Sequence, residues 1–397
     1  MDIPTILNYL IAFFSLFSLN VFILLYLKHR NDYHKPLKKT GWTPLVSIVM
    51  PAYNEEKFIV SSIRTLLDLD YPKDRLELII VDDGSTDNTY RVAKAFEAEN
   101  LQNLHIFTKP NGGKGAALNY GIRKARGELV ATMDADSYVT RGTIRELIPY
   151  FSEKDVMAVT PAVKIRESSS WLKEFQRVEY LMILFSRKLL SFIDSVPVTP
   201  GPFSMFRREV FEKIGYFDEH NLVEDQEIAL RIQAANFKIR SSMTADVYTE
   251  PPDNMLDLIT QRVRWQRGGI RNYWKYRHMM KPEYGDFGMY FVPLNFAALT
   301  AFFLLLGLLA YSIITTPYYV QYIWFDAMGM DVTFVTFVGA FVVVTSTFFL
   351  WLAIRSYGNE KVKLRYLASF LLFYWYIMVG YNVLFLVKEL KRERYSW

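Results

Sequence analysis

The sequence predicts an α/β domain with a mostly parallel sheet, combined with transmembrane α-helices. Three observations carry this. The 397 residues are 51% hydrophobic and 16% aromatic yet 22% charged, the mixture produced when a water-soluble domain is spliced to membrane helices. Four apolar runs are long enough to cross a bilayer. Between the first and second runs, short β-rich segments alternate with helical patterns and end in polar motifs, the arrangement of open α/β sheets that bind ligands beyond their strand C-termini.

Taken in order, Ile6 to Leu27 form the first apolar run, followed by Lys28, Arg30, Lys35, Lys38 and Lys39. A cleaved signal peptide carries its charges before the apolar stretch. Charges after it predict an anchor with its N-terminus outside and the next domain in the cytosol. Residues 1–43 are thus read as a transmembrane helix and basic linker, 44–275 as the α/β domain, and 276–397 as an interfacial segment and about three further helices. Within the second part, Leu45 to Met50 reads as a strand ending at Pro51, and Asn54 as the N-cap of a helix through Leu69. Leu76 to Val81 reads as a second strand, followed by a helix through Ala98. A short strand at His105 to Thr108, a helix over Leu118 to Arg126 and a strand over Leu129 to Met133 complete the pattern. The later apolar runs are Met289 to Ile314, Val332 to Ile354 and Tyr366 to Val387. The Tyr318–Asp331 link has no Lys or Arg and reads as external; Arg355, Lys361, Lys363 and Arg365 mark an internal link. Three spans here would put Lys388, Lys391, Arg392 and Arg394 outside, against the positive-inside tendency.

The net charge of +5 is modest and comes without a basic stripe or recognition motif, which argues against nucleic acid as a partner; the lipid bilayer and its anionic headgroups account for it. With no cysteine, disulfides and thiolate metal sites are excluded. No G-x-G-x-x-G follows the first strand and the Walker A spacing is absent.

Five polar motifs could carry chemistry. Asp82-Asp83-Gly84-Ser85 is turn chemistry or a carboxylate for a base or ribose. Asn111-Gly112-Gly113-Lys114-Gly115 is a flexible turn or a phosphate cradle leading into a helix. Asp134-Ala135-Asp136, just past an apolar strand, caps a turn or holds a hard divalent cation, Mg²⁺ or Mn²⁺, shared with substrate phosphates. Glu224-Asp225 opens a helix, where acids suit the helix dipole or one acts as a general base. Gln261-Arg262-Val263-Arg264-Trp265 read alone fits an interfacial anchor; it also pairs a phosphate grip with a stacking platform.

In this order, and with Pro51-Ala52-Tyr53-Asn54-Glu55-Glu56 at the start, the motifs resemble the family-2 glycosyltransferases over roughly Val46 to Arg267. The resemblance implies a GT-A fold that binds a nucleotide sugar. Within the family, Glu-Asp followed by QRxRW resembles the membrane-integrated synthases of poly-N-acetylglucosamine, chitin, hyaluronan and cellulose, although one clear N-terminal span stands where the resemblance implies more. It implies a UDP-sugar donor, with UDP-N-acetylglucosamine first. It implies Ala52, Tyr53 and Glu55 in the nucleotide pocket, Asp83 facing uracil and Lys114 near the diphosphate. Asp136 would ligate the metal, with Asp134 on the nucleotide side, and Asp225 would be the general base. Gln261 and Arg264 would bind the diphosphate, Trp265 would stack near the acceptor sugar, and Gly201 to Arg208 would border the acceptor. The expected activity is inverting, processive polymerisation of a β-linked polysaccharide passed across the membrane. The alternative is a single addition to a lipid-linked acceptor. Trp324, Trp351, Tyr374, Trp375, Tyr376 and Tyr381 are candidates to line a channel, and a small accessory membrane protein is a partner the resemblance implies.

Overall fold

The computed structural model describes residues 3–35, 37–38, 40–99, 103–166, 168, 170–315, 334–357 and 362–391. Helix α1 (Ile3–His29) leads to β1 (Val46–Ala52), α2 (Ile59–Leu67), β2 (Leu76–Asp82), α3 (Thr89–Lys94), β3 (Leu104–Thr108), α4 (Lys114–Lys124), β4 (Leu129–Thr132) and β5 (Ser137–Val139). There follow α5 (Thr143–Leu147), β6 (Val156–Ile165), α6 (Trp171–Ser191), β7 (Ser204–Arg207), α7 (Glu209–Ile214), α8 (Glu224–Ala234), β8 (Lys238–Thr249) and α9 (Met255–Lys275). The chain continues in α10 (Val292–Thr315), α11 (Phe334–Arg355) and α12 (Leu364–Leu390).

The strands form one sheet in the order β3-β2-β1-β4-β7-β6-β8-β5. Strands β1 to β4 pair parallel, β7 runs antiparallel to β4 and β6, and β6 and β8 are again parallel. The apolar runs of β1 and β2 are continuous because both faces are covered. Ile48, Met50, Leu78 and Ile80 pack with α2 on one face, while Val49, Ile79 and Val81 meet α4 on the other. Gly121 lets α4 come that close, since a Cβ there would lie 2.3 Å from Val49 Cγ1.

Two local readings change. Strand β1 runs through Pro51 to Ala52, opposite Val81 and Asp82. Proline is tolerated because β1 pairs with β4 only over Val46 to Val49. Val49 already faces that edge, accepting from Met133 N at 3.0 Å, so two residues on the missing Pro51 N–H points where the ladder has ended. Asn54 is not a helix cap. It adopts φ +57°, its Oδ1 accepts from Thr86 N at 2.8 Å, and α2 starts only at Ile59 without a side-chain cap. Asn tolerates the left-handed region, and this turns the β1 loop onto the β2 loop. Helix α4 begins at Lys114, earlier than the apolar pattern implied, with Gly113 at φ +87° before it.

Among the described residues, three helices are long and apolar enough to cross a membrane: Ile6–His29, Phe287–Leu308 and Leu364–Leu390. Helix α11 adds a further apolar stretch over Gly339–Arg355. The Tyr318–Asp331 link, Lys361, Arg392 and Arg394 lie outside the described residues. Helix α6 is the seam between the sheet and these helices. Leu181, Leu184, Phe185 and Leu189 pack with Tyr33, Phe349, Leu352, Ala353 and Tyr357. Helix α12 touches the α/β domain near both of its ends. Phe370 and Phe373 meet Phe175 and Trp171 of α6, and Glu389 pairs with Arg267 and Arg271 of α9.

Candidate active site

The C-terminal ends of β1, β2 and β4 converge, and their loops are tied together before any ligand is considered. Glu55 N donates to Thr89 Oγ1 at 2.7 Å and Asn54 N to Ser85 Oγ at 3.0 Å. Ala52 is buried at the strand end, whereas Tyr53 stands 45% exposed at the rim. The Asp82 carboxylate accepts from Thr108 Oγ1 at 2.8 Å. Asp83 organises the glycine loop: Lys109 Nζ lies 2.5 Å from its Oδ1, and Gly113 N donates to its Oδ2 at 2.8 Å. Gly112 N donates to both oxygens, at 3.1 and 3.3 Å. Those bonds hold in place the loop that positions Lys114 at the first turn of α4.

Lys114 joins two of the remaining motifs. Its Nζ is 2.7 Å from Asp134 Oδ1 and 3.1 Å from Glu224 Oε1. Burial opposes its charge, but Asp134, Glu224 and Asp225 more than offset that and hold its pKa above the ordinary lysine value. Gly201 allows this approach: a Cβ there would stand 2.5 Å from Asp134 Oδ2 and 2.7 Å from Lys114 Nζ. Its carbonyl accepts from Asp134 N at 3.1 Å, so the Pro200-Gly201-Pro202 turn is fastened to the carboxylate loop.

The carboxylates repel one another. Burial, then Asp136 and Asp134, push Glu55 up to about 7. Burial and Asp134 raise Asp136 as well. Among the described residues, no three His, Cys, Asp or Glu side chains form a ready-made metal cage. None is needed for Mg²⁺ or Mn²⁺ shared with phosphates, which takes one or two protein carboxylates. A half-buried carboxylate cluster that Lys114 only partly neutralises fits such an ion.

Asp225 lies in the first turn of α8. Its Oδ1 accepts from Gln226 N at 2.8 Å, and its carbonyl accepts from Thr199 N and Oγ1 at 3.1 and 2.8 Å. Burial and then Glu224 push its carboxyl up to about 6, against the pull of Lys114 and Arg264. Helix α9 starts at the N-cap Asn254, whose Oδ1 accepts from Asp257 N at 3.0 Å. It presents the pentapeptide on several faces. Arg264 Nη1 donates to Leu222 O at 3.3 Å, beside Asp225. Arg262 turns inward instead, bonding both oxygens of Glu179 at 3.2 and 2.5 Å and lying 4.2 Å over the Trp265 ring. It also donates to Gln261 Oε1 at 2.5 Å. Glu179 was not evident from sequence; its only signal is an acid inside an otherwise buried helical stripe.

Two cavities meet here. One of about 270 Å³ is lined by Asp225, Trp265, Pro200, Gly201 and residues of α6. Another, of about 590 Å³, lies among α1, α6, α9, α10 and α12. Ile183, Gln226 and Trp265 belong to the walls of both. Of the aromatics proposed to line a channel, Trp375 and Tyr381 face the larger cavity. Trp351 stacks on Phe348 and Tyr374 on Phe370, Tyr376 is exposed, and Trp324 lies outside the described residues.

Residues 47–215 match glycosyl transferase family 2. The chain is 26% identical over 357 residues to a poly-β-1,6-N-acetyl-D-glucosamine synthase of Staphylococcus epidermidis, covering 88% of this chain and 84% of that protein. It is 30% identical over 231 residues to the probable glycosyltransferase YdaM of Bacillus subtilis, 57% of this chain and 55% of that one. The structure of a mannosyltransferase, PcManGT from Pyrobaculum calidifontis in complex with GDP-Man and Mn²⁺, superposes with a TM-score of 0.63 at 20% identity, covering 89% and 99% of the two chains. The match, the relatives and the shared fold together identify residues 47–215 as a family-2 glycosyltransferase domain of GT-A fold, in a chain homologous to poly-β-1,6-N-acetyl-D-glucosamine synthases.

Proposed function

We propose that this protein is an inverting, metal-dependent, processive glycosyltransferase that builds a β-linked polysaccharide from a UDP-sugar. UDP-N-acetylglucosamine is the first donor to test, because the Staphylococcus epidermidis relative is named for an N-acetylglucosamine polymer. The observation that carries processivity is the wall common to the two cavities. A chain leaving Asp225 meets Trp265 and Gln226 and then a chamber of about 590 Å³ among the apolar helices. Trp265, Gln226, Gln266, Asn295 and Asn382 stand among the apolar residues of that chamber, and an indole face with side-chain amides suits a sugar chain, which favours the growing polysaccharide as acceptor.

In this reading Ala52, Tyr53, Glu55 and Asp83 border the nucleoside. Lys114, Gln261 and Arg264 lie toward the diphosphate, where fixed positive charge stabilises the leaving group. Asp136 would hold Mg²⁺ or Mn²⁺, with Asp134 on the nucleotide side. When bound, the ion would neutralise charge on the departing diphosphate. Asp225 takes the proton of the acceptor hydroxyl as its oxygen attacks the anomeric carbon and UDP leaves from the opposite face. Trp265 offers an indole face to the acceptor ring.

The domain faces the cytosol in this proposal, since Lys28 closes α1 and Arg30 follows it. Helix α12 lies along the interface rather than crossing it, because it contacts α6 near its start and α9 near its end. That keeps Lys388 and Lys391 on the cytosolic side and removes the conflict with the positive-inside tendency.

Purified protein given UDP-N-acetylglucosamine and Mg²⁺ is expected to release UDP and form a ladder of long products on sizing. Transfer of a single sugar would overturn processivity. Asp225→Asn should lower transfer by roughly 10²- to 10⁴-fold with UDP binding retained, as measured by turnover and calorimetry. Raised to about 6, the Asp225 carboxyl must be ionised to act, so kcat/KM should fall as pH drops through about 6; a limb near the ordinary aspartate value would contradict this. The chain has no cysteine, so Lys391→Cys provides a single thiol. A membrane-impermeant maleimide should label it in permeabilised cells only, and labelling in intact cells would place it outside.

A further inference from the structure

Helix α6 was silent in the sequence, yet Tyr180, Ile183, Leu184 and Arg187 recur along it at helical spacing. All four line the 270 Å³ cavity that holds Asp225 and Trp265. Arg187 is 5% exposed. Among the described residues its guanidinium makes one hydrogen bond, Nη2 to Pro161 O at 2.9 Å, and its buried Nε has no partner. Nearby buried arginines are treated differently. Arg262 is paired with Glu179 and Arg177 with Glu174. Arg187 has no such carboxylate within ion-pair distance among the described residues; Asp225 reaches it only through the longer-range field.

Burial pushes Arg187 down to about 10, so it stays charged at neutral pH. A buried cation with unused donors is costly unless something repays it. Much of the cavity wall cannot: Val163, Leu184, Pro197, Val198 and Val223 offer no side-chain oxygen. Tyr180, raised to about 12 mainly by burial, remains a neutral phenol and so a further donor on the same helix face. A polar edge of donors opposite Trp265 and Asp225 suits a neutral ring that carries many oxygens.

We propose that Arg187, aided by Tyr180, is an acceptor-binding residue that donates hydrogen bonds to hydroxyl or acetamido oxygens of the terminal sugar while that sugar's nucleophilic hydroxyl faces Asp225. This rests on the reading of Asp225 as the base of an acceptor chamber. It adds the group that selects and orients the sugar within that chamber.

The test uses full-length protein, UDP-N-acetylglucosamine as donor and a short β-1,6-linked N-acetylglucosamine oligosaccharide as acceptor. Arg187→Met should raise the acceptor KM, and weaken oligosaccharide binding by calorimetry, by roughly 10- to 100-fold. Tyr180→Phe should act in the same direction but less strongly. Donor KM and acceptor-independent hydrolysis of the UDP-sugar should not change, which also shows that the variants fold. An unchanged acceptor KM and affinity in both variants would overturn the assignment, as would a parallel loss of donor binding in both. Wild-type protein that binds the oligosaccharide through Arg187 but never extends it would overturn polymerisation and leave this assignment standing. Failure of the wild type to bind or extend it, with Arg187-dependent binding of a polyprenyl phosphate instead, would overturn both.

Discussion

The contact on which the site depends is the Lys114 ammonium held between Asp134 and Glu224. It links the glycine loop, the end of β4 and the start of α8, which are far apart in sequence. Coulomb energy at about 3 Å in a partly buried setting is large, and so is the repulsion among carboxylates left without it. Glu55, Asp134, Asp136, Glu224 and Asp225 crowd into one region because a cation already stands inside it. Glu55, Asp136 and Asp225 are all displaced upward, which shows that compensation is partial. That residual excess of negative charge would favour a divalent ion or a cationic transition state.

Around this centre the fold divides its labour. The parallel strands bring the loops of Asn54, Asp83 and Gly113 together, and the loops fasten one another by short polar contacts such as Asp83 to Gly113. The antiparallel half of the sheet carries β7 and the Pro200–Pro202 turn that borders Asp225. Helix α6 then serves three neighbours: β6 and β8 on one side, α11 and α12 on another, and the cavity on the third. Its buried charges look unreasonable on a helical wheel, but each finds a partner: Glu174 and Arg177 pair with one another, Glu179 meets Arg262 of α9, Arg187 donates to Pro161 O of β6 and Lys188 to Ser241 O of β8.

Much of the fold was legible because buried parallel strands leave continuous apolar runs, and Leu76 to Val81 or Leu129 to Met133 could hardly be anything else. The carboxylates at their ends were legible for the same reason, since position after a strand is a local property. Asn54 misled because the residue that caps helices also tolerates a left-handed turn, and only the Thr86 contact decides between them. The start of α4 was missed because glycine and lysine carry no apolar period. Glu179 and Arg187 were invisible in principle: their meaning lies in Arg262, Pro161 and Trp265, which long-range packing alone brings near.

Glu389 is shared by Arg267 and Arg271, one helical turn apart on α9. A single carboxylate gripping two successive rungs locks the axial register of α9 against α12, because sliding by a turn would leave one guanidinium without its oxygen. The helix that carries Arg264 and Trp265 is therefore tied to the helix that carries Trp375, Met378 and Tyr381. The helix that carries Trp265 and a wall of the larger chamber are thus fastened to each other through one carboxylate, far along the chain from the motifs themselves.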